Sequence, residues 1–596
     1  MTERGRPKTP TPHVKQKSFP LAHPGTGWTT HRIKASVVFA LLVACFSAAL
    51  SAAFSAARAD LGFTEVAAVT LDGQGRDASA EILAIDQRSN TVYVINSATS
   101  TLERFTLLHD GQGTPNPSYE LRPLSPINLS LGEGKALSVA GSVSLRNDAS
   151  ASVTTLVSAV ATSVDVWPDA DLVAVSMALI DDQTRRPPKG VVLFFKMASG
   201  ELVQSVEVGH HPDMIRFLHT PSRGLELLVA NEGEPHPTGK YNGSGSLSII
   251  EMGSEISPLT ATERWRTHQL SIINPETVVT GTIRSEYARE DWPKDLEPEY
   301  IAVSRDGSNA YVSLQENNAI ATIDLNARRV SRLFSLGTKD HDQEYDTIDT
   351  KSSDKTWQLK AMPIKSYFMP DAIATFEQRG NRYLVTANEG DTRGGTAQND
   401  VIKVSDINCG SRSTLPVWSS PRNLKQLNKL EVDRLPILEH PLGCPEQITA
   451  FGGRSISVWD LEKETLIWDS GDHISKIVAA CLPAKQYDKR STKRGAEPES
   501  LALWESGERL IAFVGLERGD GILAYDLTQP EQGEYIGGIF FKDRRHRGPE
   551  SMVFLPDETD PDRGLLIASF EYTGTLAVFS IEHRASHPIP STPCPN

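Results

Sequence analysis

Short runs of apolar and β-branched residues recur along the chain, each closed by a polar turn, and the runs come in groups. In the clearest group, Glu297-Pro298-Glu299 leads into Tyr300-Ile301-Ala302-Val303, which turns at Arg305-Asp306-Gly307-Ser308. The chain continues through Ala310–Leu314, turns again at Gln315-Glu316-Asn317-Asn318 and ends in Ala319–Leu325. An Asp-Gly pair between two β-rich runs is a hairpin signal, because glycine accepts the positive φ of a tight turn. Runs this short, bounded by turn residues, predict strands rather than helices. The unit is therefore three antiparallel strands preceded by an acidic or Pro-acidic turn.

The same grammar repeats. One copy holds Ala80–Ala84 and Val92–Asn96. A less regular one covers Ser163–Met177 and Val191–Lys196. Others begin at Pro212-Asp213, Pro370-Asp371, Glu497-Pro498-Glu499 and Pro549-Glu550, with second strands ending at Asn231-Glu232-Gly233, Asn388-Glu389-Gly390, Glu517 and Glu571. Repetition of this kind predicts an all-β fold, a seven-bladed β-propeller with long loop insertions, because radial repetition covers sheet edges and buries both faces of each sheet. A two-domain β-sandwich is the runner-up. The repeat is longer than the ~40–50 residues of simple propeller units. The excess falls in polar stretches at 109–150, 253–295, 335–365 and 391–445, expected to be loops on one face.

The first residues change the picture of where the chain works. Residues 1–34 are basic, Ala35 to about Phe54 is apolar, and Ala57-Arg58-Ala59 precedes Asp60. This predicts a signal peptide over 1–59 with a long basic lead, then a propeller domain over 60–584 and a tail over 585–596. Leu42-Val43-Ala44-Cys45 offers an alternative, a lipoprotein anchored through Cys45. A periplasmic or secreted address follows, with no stable membrane span after cleavage. The net charge of −15 excludes a nucleic-acid surface, which needs clustered Lys and Arg. A monomer is expected, with a small-molecule or cell-surface ligand of unknown identity. Export leaves Cys409, Cys444, Cys481 and Cys594, which allow three pairings. Cys409–Cys444 is the local pairing and would leave Cys481–Cys594; no Cys/His spacing suggests zinc.

Candidate chemistry lies in the acids. In an antiparallel hairpin the start of the first strand and the end of the second share one edge. Acids before or at the first strand (Glu81, Asp213, Glu297, Glu299, Asp371, Glu497, Glu499, Glu550) therefore face acids after the second (Glu232, Glu316, Glu389, Glu517, Glu571). With the first strand innermost, these carboxylates ring a channel mouth. Glu81, Glu232, Glu299, Glu316, Asp371, Glu389, Glu499, Glu517, Glu550 and Glu571 become candidate ligands for Ca²⁺, a hard cation that takes oxygen donors. Crowded carboxylates otherwise repel. Asn-Glu-Gly is also a plain turn sequence, and any single copy reads that way. The acids Asp340, Asp342, Asp346, Asp349 and Asp354 offer a second cation loop, but they lack EF-hand spacing and predict a solvated loop. His210-His211 and His236 are assigned to turns, although the first two carry the donors for a transition metal. No GxSxG, HExxH or P-loop is present.

Segments such as LVANEGEP (228–235), DLEPEYIAVS (295–304), YLVTANEGDTR (383–393), EPESLAL (497–503), AFVGLERGDGILAYDL (512–527) and GPESMVF (548–554) resemble, in order, the choice-of-anchor I family, a group that includes mesenchyme-specific cell-surface-glycoprotein-like proteins. The resemblance implies an exported propeller with YVTN-type repeats and varied C-terminal anchors. This chain ends soon after its last strand, which implies a soluble form. Some relatives are described as alkaline phosphatases, which implies an alternative activity, a calcium-dependent phosphomonoesterase. Arg393, Arg518 and Arg547, beside the acidic motifs, are then the phosphate-binding candidates, with Arg545 nearby; their guanidinium groups suit bidentate contact.

Overall fold

The computed structural model describes residues 60–596 apart from 74–78, 111–117, 131–156, 182–185, 237–238, 240, 254–264, 353, 395–398, 411–414, 585–593 and 595–596. The expected signal peptide, with Cys45 and Ala57–Ala59, lies outside the described residues.

Among the described residues the strands form eight sheets. Seven share one plan, an antiparallel run of four strands that follows chain order in six of them; Val278–Thr280 adds a parallel fifth strand to one sheet and Ile127–Asn128 a short one to another. Their first strands are Leu83–Asp86, Val157–Trp167, Pro212–Thr220, Pro298–Val303, Ile373–Gln378, Pro498–Ser506 and Pro549–Pro556. Each first strand contacts the next, and the last contacts the first, so these strands are innermost. Second strands such as Gly224–Asn231 are buried along their whole length because neighbouring sheets cover both faces.

The apolar cores follow the same circuit. Tyr93 and Val175 join sheets 1 and 2; Phe194 and Phe217 join 2 and 3; Ile249 and Val312 join 3 and 4. Tyr311 and Leu384 join sheets 4 and 5; Val385 and Val514 join 5 and 6; Trp504 and Phe554, with rings 4.7 Å apart, join 6 and 7. Leu83 and Val92 meet Ile567 and Val578, joining sheet 7 back to sheet 1. Two stacked sheets would share one such core, so the sandwich alternative does not describe this chain.

The expected three-strand unit is corrected by a fourth strand. Outer strands such as Ser118–Pro123 and Arg266–Ser271 are mostly exposed, so they carry little apolar alternation to read. Both lie within stretches expected to be loops. In sheet 7 the fourth strand is Asp60–Thr70, paired antiparallel with Thr575–Arg584. The first described strand thereby closes the last sheet.

The stretches 335–365 and 391–445 are also corrected. With Thr449–Ala450 they build the eighth sheet, whose strands include Thr338–Asp340, Lys365–Tyr367, Val401–Lys403 and Glu431–Asp433. A separate core of Trp418, Leu427, Leu430, Val432 and Ile448 sits under it. The acidic segment is solvated only in part: Asp340, Asp342 and Asp354 are exposed, whereas His341, Asp346 and Asp349 are buried. Asp346 lies 3.2 Å from Lys339 Nζ, and Asp349 accepts the backbone N–H groups of Lys351 and Gln358.

Two disulfides are present, Cys409–Cys444 and Cys481–Cys594. The first closes a loop with a sequence separation of 35. Replacing both of its cysteines with Ser is expected to cost about 3–4 kcal/mol through restored unfolded-chain entropy. Urea unfolding of the variant checks this, and a loss under ~1 kcal/mol would contradict it.

Candidate functional site

The hairpin register carries the acids to one edge. Pro212 pairs with Asn231, Pro298 with Leu314, Pro498 with Leu516 and Pro549 with Phe570. In each pair the register shifts just after the proline. Such bulges re-aim side chains, and here the bulged residues include Asp213, Glu299, Glu499 and Glu550.

The turns after the second strands are pinned by asparagines. Asn231 Nδ2 donates to Ser248 Oγ at 2.9 Å, Asn388 Nδ2 to Ser457 Oγ at 2.7 Å, and Asn317 Nδ2 to the Asp295 carbonyl at 3.0 Å. In the Asn-Glu-Gly turns the asparagine therefore serves the fold, which leaves the following glutamate to face inward. Gly390 has φ +96°, and a Cβ there would lie 2.3 Å from Gly452 Cα, so no other residue fits the turn.

A cavity of about 400 Å³ results. Of the candidate ligands, Glu232, Glu299, Glu316, Asp371, Glu389 and Glu499 line it, joined by Asp213, Glu234, His236, Glu297 and Gln315. Glu81, Glu517, Glu550 and Glu571 are not among the lining residues. They share the same field: Glu550 is raised first by burial and then by repulsion from Glu571, Asp371, Glu81 and Glu517.

Burial dominates the electrostatics. It pushes Glu81, Glu316 and Glu517 up to about 8, Glu297 to about 7 and Asp213 to about 6. Glu232, Glu299, Asp371 and Glu499 are driven well above the usual carboxylate range by burial and then by repulsion from neighbouring acids, first Glu234, Glu316, Glu389 and Glu550 respectively. The Oε2 atoms of Glu299, Glu316 and Glu499 have no hydrogen-bond partner. Glu299 is 8% exposed and Glu316 7%. Buried polar atoms left unpaired are costly, and such a group calls for an explanation.

The arginines divide the mouth. Arg393 is fully engaged: Nε to Glu297 at 2.8 Å, Nη1 to Asp295 at 2.9 Å and Nη2 to the Asp295 carbonyl at 2.6 Å. Arg518 pairs with Glu517 at 2.8 Å and lies over the Tyr572 ring, while Arg547 contacts Asp520 at 3.3 Å. Arg545 pairs with Glu65 and Asp543 at the surface. Three arginines escaped the sequence reading. Arg284 is buried against Asp400 and Asp433. Arg490 donates to Glu497 at 2.6 Å. Arg494 meets Glu389, Glu497 and Asp391. The run Arg490–Arg494 just before Glu497 was the available signal for the last two; nothing local marks Arg284. Arginines thus meet Glu297, Glu389, Glu497 and Glu517, and no arginine contact is seen for Glu299, Asp371 or Glu499 among the described residues.

The class that the fold and site define is an all-β repeat domain with acids gathered at one mouth. The choice-of-anchor I domain matches residues 81–530, and the chain belongs to that family. It is similar to the mesenchyme-specific cell surface glycoprotein of Strongylocentrotus purpuratus, 29% identical over 52% of this chain and 44% of that protein. It is also similar to Gigasin-3a of Magallana gigas, 26% identical over 25% of this chain and 62% of that protein. The chain thus spans about half the length of these curated relatives. Among solved structures it is similar to a hydrazine synthase chain of Kuenenia stuttgartiensis, with a TM-score of 0.41, 11% identity and coverage of 87% of this chain and 98% of that one. It is similar too to the Cps50 (Swd1) β-propeller domain of Myceliophteria thermophila, with a TM-score of 0.38, 9% identity and coverage of 86% and 98%.

Proposed function

We propose that the chain is an exported seven-bladed β-propeller binding module whose mouth holds a divalent hard cation, Ca²⁺. Seven sheets in a closed circuit of inner strands and shared cores support the blade number. Two disulfides and the likeness to a cell surface glycoprotein support an oxidising, extracytoplasmic address. The observation that carries the cation is the pair of buried, unpartnered oxygens of Glu299 and Glu316 in one cavity with Glu232 and Asp371. Ca²⁺ takes six to eight oxygen ligands in flexible geometry, and the cavity leaves room for water or a ligand's oxygens beside it. The cation would ionise these acids and offset their repulsion.

Titration calorimetry of the chelator-treated protein over residues 60–596 tests this. Saturable Ca²⁺ binding is expected, weakened at least tenfold in the double variant Glu299→Gln, Glu316→Gln, which keeps the shape and removes charge. Absence of binding, or binding the variant retains, would overturn the reading. Turnover of a chromogenic phosphate ester in the same samples distinguishes the phosphomonoesterase alternative. None is expected, because Arg393, Arg518 and Arg547 already contact carboxylates.

A further inference from the structure

His210 and His211 carry imidazoles to the same mouth, and only one of them faces acids. His210 turns away, with Nδ1 3.0 Å from the Pro188 carbonyl. His211 Nδ1 lies 3.1 Å from Glu234 Oε2 and 3.4 Å from Glu232 Oε2. All three donor atoms lie within 4.8 Å of one another. We propose that His211, Glu232 and Glu234 form a zinc site at the rim of the cavity, with Glu299 and Glu316 left to the hard cation.

The distances carry the assignment. Zinc bonds His nitrogen and carboxylate oxygen at ~2.0–2.2 Å, and a tetrahedron with such bonds has edges of about 3.3–3.5 Å. Two edges of the triad are already close to that length. The third closes by a rotamer change of Glu234, whose side chain is 51% exposed and free to adjust. An imidazole with two carboxylates is a borderline donor set. It suits Zn²⁺ better than Ca²⁺ or Mg²⁺, which take oxygen alone.

The backbone holds the triad together. Glu232 N–H donates to the His211 carbonyl at 2.9 Å and Gly233 N–H to the His210 carbonyl at 3.1 Å, so the two turns face each other in fixed register. Gly233 has φ +78°, and a Cβ there would lie 2.6 Å from the Ser244 carbonyl carbon. Glu232 and Glu234 both line the cavity, so the fourth corner of the tetrahedron opens into it.

The test uses the protein over residues 60–596, stripped with chelator and dialysed against ZnCl₂. Metal analysis is expected to show about one Zn²⁺ per chain, and Co²⁺ substitution to give the intense visible absorption of a tetrahedral site. His211→Asn, chosen because Asn tolerates the φ of +44° at this position, is expected to lose the zinc and the cobalt spectrum while keeping Ca²⁺ binding. Glu234→Gln, at a half-exposed position with no effect expected on folding, is expected to weaken zinc at least tenfold. Glu299→Gln with Glu316→Gln is expected to lose Ca²⁺ and keep Zn²⁺. Failure of the calcium reading alone therefore leaves the zinc site standing. Wild-type protein that binds no zinc, or variants His211→Asn and Glu234→Gln that bind it unchanged, would overturn the proposal.

Discussion

Metal-free protein is expected to lose stability as the pH rises from about 4.5 to about 8, and millimolar Ca²⁺ to reduce that loss. The sign follows from linkage. Glu81, Glu316 and Glu517 have an ordinary value of 4.5 and are held near 8 in the folded chain. Between those values the folded state binds more protons than the unfolded one, so folding weakens with each step upward in pH. Below 4.5 both states are protonated and the penalty is absent; above about 8 it is complete. A cation bound beside Glu316 in the cavity replaces its proton, so its stabilisation should be small at pH 5 and largest at pH 8 and above. At a thousand times its dissociation constant a ligand contributes ~4 kcal/mol, which in a domain of this size raises Tm by about 4 °C. Thermal melts across pH with chelator or with CaCl₂ measure both effects. A metal-free profile that is flat or rising over this range would contradict the buried acids, and equal Ca²⁺ shifts at pH 5 and pH 8 would contradict their role as ligands.

Arg284→Met is expected to destabilise the protein by about 3–5 kcal/mol, the range for breaking a buried ion pair by removing one partner. Arg284 Nε and Nη2 hold both carboxylate oxygens of Asp433 at 3.0 and 2.9 Å, and Nη2 lies 2.8 Å from Asp400. Its Nη1 donates to the Glu316 carbonyl at 3.0 Å. One guanidinium thus ties the eighth sheet to the turn that presents a cavity acid. Methionine keeps most of the apolar stem and leaves two buried carboxylates uncompensated. Adding Asp433→Asn should restore part of the loss by removing one stranded charge. Denaturant unfolding gives the cycle, and calorimetry should find Ca²⁺ affinity reduced in the single variant. A loss below ~1 kcal/mol would mean that the network holds nothing in place.

Much of this molecule was legible locally. The hairpins around Asp306-Gly307, the order of the repeats and the placement of Glu299 and Glu316 at one hairpin end follow from side-chain period and turn chemistry. The candidate acids were named for that reason, and six of them line one cavity. The outer strands were missed because a mostly exposed strand such as Ser118–Pro123 needs no apolar alternation. The eighth sheet was missed because its strands are three residues or fewer and drawn from distant stretches.

What the chain order determined by itself was therefore an all-β succession of hairpins, each with acids at the same end, and four cysteines in its later part. Only the tertiary structure decided how Asp60–Thr70 completes the last sheet and which bulges turn acids inward. It also decided which arginines neutralise them and that His211 rather than His210 meets two glutamates. The reason is range. Period and turn signals act over a few residues, whereas Arg284 and Asp433 are 149 positions apart and meet only when a circuit of sheets brings them together.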